Sequence, residues 1–210
     1  MGGLKTDTIA LLTGSKVRLR AAESYCVRAQ TPEAKGGLGG GAFLIDGGNS
    51  FDVYLFSELA RDHHLAYDSA LDRQLLSRAF TVYELLSLIE GSEAVLAVRK
   101  PKLLVISDVF SLFTEDIEKA EARRLFRGIA NCVSGISKRE KVPILLTSAD
   151  RPGLLLPILE ERCSVSADIT EGDLWTRSRL FKHPSKAPSD TFSEVRTKRY
   201  NQDVLQTEVR

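Results

Sequence analysis

The sequence predicts an α/β fold, a mainly parallel sheet with helices on both faces. Three observations lead there. Short, nearly uninterrupted apolar runs recur along the chain, as strands covered on both faces require. Between them lie stretches whose apolar residues repeat at helical spacing. The two kinds of segment alternate with no internal repeat, which is the pattern of βαβ units.

In order, Thr8-Ile9-Ala10-Leu11-Leu12 reads as the first buried strand and residues 16–30 as the helix after it. A connector over residues 32–41 contains five glycines and reads as a flexible surface loop. A phosphate-cradling loop would lead into a helix, and this one leads into the strand Ala42-Phe43-Leu44-Ile45-Asp46. A helix over 52–61 and a short run over 74–80 follow. Val82, Leu85, Leu86 and Ile89 then mark one helix face. Residues 102–108 form a buried strand ending in Asp108, and Ala122, Leu125, Phe126, Ile129, Val133 and Ile136 stripe a long helix. A strand over 142–147, a helical piece over 154–161, strands over 164–170 and 174–181, and a proline-containing turn over 183–188 complete the order.

With 210 residues, 43% hydrophobic and 27% charged, the chain fits one globular domain and excludes collagen-like or wholly disordered classes. No apolar stretch is long enough for a membrane span, and no secretory leader is evident at the N-terminus. Cys26, Cys132 and Cys163 are odd in number and lack a C-x-x-C spacing. They argue against a disulfide framework or structural zinc and read as small core residues, which points to a reducing, cytoplasmic setting. The net charge of +1 conceals an asymmetry. Residues 176–210 carry 8 Lys+Arg against 4 Asp+Glu, so a basic tail follows a slightly acidic body.

Ligands of parallel sheets sit at the carboxyl ends of the strands. The first strand runs into Thr13-Gly14-Ser15-Lys16-Val17 and a helix, the layout of a phosphate-binding turn, although the fit to G-x-x-x-x-G-K-[ST] keeps only the lysine and a displaced glycine. Asp108 closes a strand about ninety residues later, as a Walker B carboxylate does. With Ala42 to Phe51, Leu76-Ser77-Arg78-Ala79-Phe80, Leu103 to Phe113, Ile144 to Asp150 and Arg179-Leu180-Phe181-Lys182-His183-Pro184, the chain resembles the RecA recombinase superfamily, particularly the archaeal RadA branch and its paralogs. The resemblance implies a RecA-like P-loop ATPase core over 1–189 with antiparallel closing strands. A basic extension over 190–210 would then be mobile or dock a partner. It implies Gly14, Ser15, Lys16, Val17 and Asp108 as nucleotide ligands, for weakly bound ATP or ADP with magnesium if any.

The departures from the family are informative. Its catalytic glutamate position is Gly48 here, its γ-phosphate-sensing glutamine is Ala149, and its magnesium hydroxyl is Val17. Three losses in three motifs imply that ATP hydrolysis has been abandoned. The first DNA-contacting loop becomes the short Thr114-Glu115-Asp116-Ile117-Glu118-Lys119, acidic at its start, and the second becomes an apolar piece over 151–159 led by Arg151. No Phe has Ala three residues on, so the family's polymerisation signature is missing, and its N-terminal helical domain is not expected. The expectation is therefore a non-hydrolysing paralog assisting recombination and repair through a recombinase or RecA-like partner. DNA contact would come mainly through the tail (Lys198, Arg199) or through Arg123, Arg124 and Arg127. Two alternatives stand beside it: a DNA-dependent ATPase completed by a partner, with Glu23 or Asp52 as poor stand-ins, and a RecA-fold regulatory module unconnected with DNA. His63-His64 reads as a solvated helix end, not a metal site.

Overall fold

The computed structural model describes residues 4–14, 17–113, 117–149, 151–171 and 175–194. The strands are β1 (Ile9–Gly14), β2 (Ala42–Asp46), β3 (Gln74–Arg78), β4 (Leu103–Ser107), β5 (Ile144–Ser148), β6 (Val165–Glu171), β7 (Trp175–Lys182) and β8 (Ser189–Glu194). The helices are α1 (Val17–Gln30), α2 (Val53–Asp62), α3 (Tyr67–Asp72), α4 (Val82–Arg99), α5 (Lys119–Glu140) and α6 (Leu156–Glu160). All eight strands form one sheet in the order β3-β2-β4-β5-β1-β6-β7-β8. The first six positions pair in parallel, and β7 and β8 close it antiparallel.

The apolar runs are explained by what covers them. Successive strand residues point to opposite faces. Ile9, Leu11, Phe43, Ile45, Leu104, Ile106, Ile144 and Leu146 pack under α4, α5 and α6. Their alternates Ala10, Leu12, Ala42, Leu44, Leu103, Val105 and Leu145 pack with residues of α1, α2 and α3. Both faces are buried, so both parities are apolar until the carboxyl ends of the strands, where buried Thr13, Asp46, Ser107 and Thr147 stand.

Caps set the helix limits. Asp52 accepts from the Tyr54 and Leu55 amides at 2.8 and 3.3 Å and opens α2. Thr81 Oγ1 accepts from Glu84 N at 3.1 Å, while Glu84 accepts from Phe80 N, opening α4. Lys100 and Lys141, at φ 50° and 51°, close α4 and α5 just ahead of Pro101 and Pro143.

Five differences from the sequence expectations matter. The strand β1 continues past its apolar run to Gly14, because β5 and β6 pair with it on both sides. The short α3 was not anticipated, since six residues carry too little periodicity to register. The glycine-rich connector is compact and not an open flexible loop. Leu38 and Gly40 amides donate to Ala29 O at 3.1 and 3.2 Å, and Gly39 N donates to Thr31 O at 2.9 Å, which caps the end of α1. The strand β4 stops at Ser107, leaving Asp108 one residue beyond it at φ 50°. Finally, β8 carries the sheet through the boundary expected at 189, while residues 195–210 lie outside the described residues.

Candidate functional site

The carboxyl ends of β1, β5, β4 and β2 lie side by side, with β5 between β1 and β4, so Gly14 and Asp108 end strands about 10 Å apart. At β1, the backbone is committed to the sheet. Residues Ile9 to Thr13 pair with β5, and Ala10 to Gly14 pair with β6. Gly14 sits at φ 135°, and a Cβ there would fall 1.8 Å from the Ile169 carbonyl oxygen. Its missing side chain lets β6 approach. Val17 is already the first residue of α1, and Ser15 and Lys16 lie outside the described residues.

At the ends of β2 and β4, carboxylates organise the backbone. Asp46 is fully buried and accepts from the amides of Gly48, Ser50 and Phe51 at 3.2, 2.8 and 2.9 Å and from Ser107 Oγ at 3.0 Å. Arg78 Nε stands 3.7 Å away. Asp46 thus fixes the turn that carries Gly48. A Cβ on Gly48 would lie 2.4 Å from Asp108 Oδ2 and 2.9 Å from Asp108 Cβ. The Asp108 side chain occupies the space that any side chain at position 48 would enter first. Asp108 is itself buried, with its amide 3.3 Å from Thr147 Oγ1 and its carbonyl accepting from Ser111 N at 2.9 Å.

Glu23 of α1 completes this region. Its Oε1 accepts from Asp52 N at 2.6 Å, while its buried Oε2 has no partner among the described residues. Burial, with repulsion from Asp52 and Asp46 against the favourable Asp52 amide, lifts its pKa from the ordinary 4.5 to about 7. Glu23 and Asp52 both hold the start of α2. Neither is presented as a free base.

Arg151 turns inward. It donates to Thr13 Oγ1 at 2.9 Å and to Glu160 Oε1 at 2.7 Å, and its guanidinium lies 4.2 Å from the Phe181 ring centroid. Thr13 in turn donates to Asp168 at 2.6 Å, and Ser166 donates to Glu160 at 2.9 Å. The segment after β5 is thereby fastened to β1, β6 and β7. Sequence reasoning missed this, because the partners are scattered from Thr13 to Phe181. Ala149, at the glutamine position, follows β5 half-buried.

Arg123, Arg124 and Arg127 are exposed on α5, with Glu121 3.6 Å from Arg124. Lys198 and Arg199 lie outside the described residues, as do 114–116 of the acidic loop. His63 caps the end of α2, and His64 follows at φ 56°. Cys26 and Cys163 are buried, which raises both thiols, Cys163 to about 12, and Cys132 is half-buried. On the closing strands, the hydrogen bond from Arg177, then that from Arg179, holds Asp190 well below the usual carboxylate range. No group of three or more metal-ligating side chains is found among the described residues, and none of their helices is long and apolar enough to cross a membrane.

A parallel core in this strand order, closed by antiparallel strands, is the RecA-type α/β class. The family model for Rad51 matches residues 1–135, and the chain belongs to the Rad51 family. It is 27% identical over 155 residues to the human meiotic recombination protein DMC1/LIM15 homolog, covering 70% of this chain and 46% of that protein. The mouse counterpart is 26% identical over the same extent. The chain therefore spans about half the length of these curated relatives.

Proposed function

We propose that this chain is an accessory member of the Rad51 family that acts in DNA recombination and repair through protein partners, with a core that no longer turns over ATP. The observation that carries the reading is the ladder of β1. With Lys16 in register, the phosphate loop would have to be built from Leu11 to Ser15, of which Leu11 to Thr13 are paired with both β5 and β6 and Gly14 with β6. Backbone amides held in a sheet are not free to cradle phosphate. The crowding of Gly48 by Asp108 supports the same reading, since a glutamate there would first have to displace that carboxylate. Lys16 and Asp108 are then remnants, with ATP or ADP held weakly if at all. The partner is a recombinase or another RecA-like chain, and DNA contact falls to the basic tail.

The test is phosphate release by the purified chain, alone and with a recombinase, in the presence and absence of single-stranded DNA. The reading expects no turnover above background from this chain. Turnover that disappears in Lys16→Ala would overturn it.

A further inference from the structure

The amino ends of β4 and β5 hold an open groove of about 450 Å³. Its floor is apolar, built from Leu38 of the connector, Leu96 of α4, and Pro101 and Pro143 just ahead of the two strands. Its rim carries Lys100, Lys102 and Lys141. The helix dipole accounts for a lysine at each helix end, so Lys100 and Lys141 alone would mean little. Lys102 lies on no helix. Its stem lies across the connector, where a Cβ on Gly40 would fall 2.4 Å from its Cγ, so the glycine is what admits it.

Among the described residues, the ion pairs engage none of these three lysines. Glu33 and Glu140 also line the groove. The charged lining is therefore three lysines against two carboxylates. Arg139 is already taken by Glu93 at 2.7 Å.

We propose that this groove docks a segment of a partner protein carrying one large apolar side chain between carboxylates. The inference rests on the reading of the chain as an accessory protein and places the partner's contact at the end of the sheet away from the expected nucleotide ligands. The apolar floor takes the anchor, and the lysines take the flanking acids. A nucleic-acid strand would use the lysines and leave the floor empty. The chain's own 195–210 segment has the wrong sign, with Arg196, Lys198, Arg199 and Arg210 against Asp203 and Glu208.

The experiment is selection of a displayed random-peptide library on the full chain, followed by fluorescence anisotropy with the enriched peptides. The expected result is a consensus of Leu or an aromatic flanked by Asp or Glu. Its affinity should fall about tenfold or more in the Lys100→Glu/Lys141→Glu double variant. The same loss is expected in Ala97→Trp, where an indole on the exposed groove wall fills the space. Both changes are on the surface, and thermal unfolding confirms that each variant is folded. No enrichment, a consensus without acids, or an affinity unchanged by either variant overturns the proposal. A labelled oligothymidylate forms the second arm. If it binds and loses binding in these variants while peptides do not bind, the surface is a nucleic-acid site and the proposal fails. ATP turnover would sink the accessory reading without touching these outcomes, so the two failures are distinguishable.

Discussion

The two ends of the sheet differ in how their charges are used. At the carboxyl ends, the acids are turned inward: Asp46 holds five donors, Glu23 and Asp52 hold the start of α2, and Asp108 fills the space beside Gly48. Even the cation of the segment after β5, Arg151, is spent on Thr13, Glu160 and Phe181. At the amino ends, Lys100, Lys102 and Lys141 rim an open apolar groove. At the end where a parallel sheet ordinarily binds ligands, most acids hold backbone, with Glu23 Oε2 left without a partner among the described residues, whereas the opposite end carries lysines and glutamates on an open surface.

The contrast can be broken most forcefully at Asp46. Replacing it with alanine leaves three amides and the Ser50 and Ser107 hydroxyls without their acceptor, and should cost about 3–5 kcal/mol in chemical denaturation. A loss below about 1 kcal/mol would mean that the turn does not depend on it. Glu23 gives a smaller, pH-dependent effect. Its folded pKa of about 7 lies above the ordinary 4.5, so the folded state binds the proton more tightly. The associated stability is complete below pH 4.5 and declines until it is lost above about 7. Glu23→Gln keeps the acceptor for Asp52 N and should gain up to about 3 kcal/mol at pH 8 while changing little at pH 4. A pH-independent difference would contradict the assignment.

Gly48→Glu sharpens the comparison directly. It restores the family's carboxylate but should destabilise the chain by about 1–3 kcal/mol and leave ATP turnover at background. In the Asp108→Gly background, which removes both the carboxylate and the Cβ that position 48 would meet, most of that cost should vanish, and a double-mutant cycle showing no coupling would remove the steric explanation. Arg151→Ala should have the smallest effect, about 1–2 kcal/mol by thermal or denaturant unfolding, from loss of two hydrogen bonds and the ring contact.

Much of the frame was legible in the sequence, for a definite reason. Strands buried on both faces run apolar up to their carboxyl ends, where Asp46, Ser107, Thr147 and Ser148 sit, so β2, β4 and β5 announce themselves, and the stripe on α5 does the same at helical period. That Gly48 and Ala149 stand where the family has a glutamate and a glutamine is what the resemblance implies. What could not be read depends on register. The meeting of Gly48 with Asp108, sixty residues apart, exists only because Asp46 pairs with Ser107 across β2 and β4. Likewise, Gly14 reads as a phosphate-turn glycine until β6 is seen lying against it. Arg151 reads as a leading surface cation until Phe181 folds back over it.

The central claim is that the carboxyl ends of the strands have ceased to be a nucleotide site. Titration calorimetry of Mg-ATP and Mg-ADP into the purified chain tests it most directly, with Lys16→Ala and Asp108→Ala as comparisons. The account predicts no saturable binding at millimolar nucleotide, and no difference among the three proteins. Saturable binding that either substitution weakens about tenfold would contradict it.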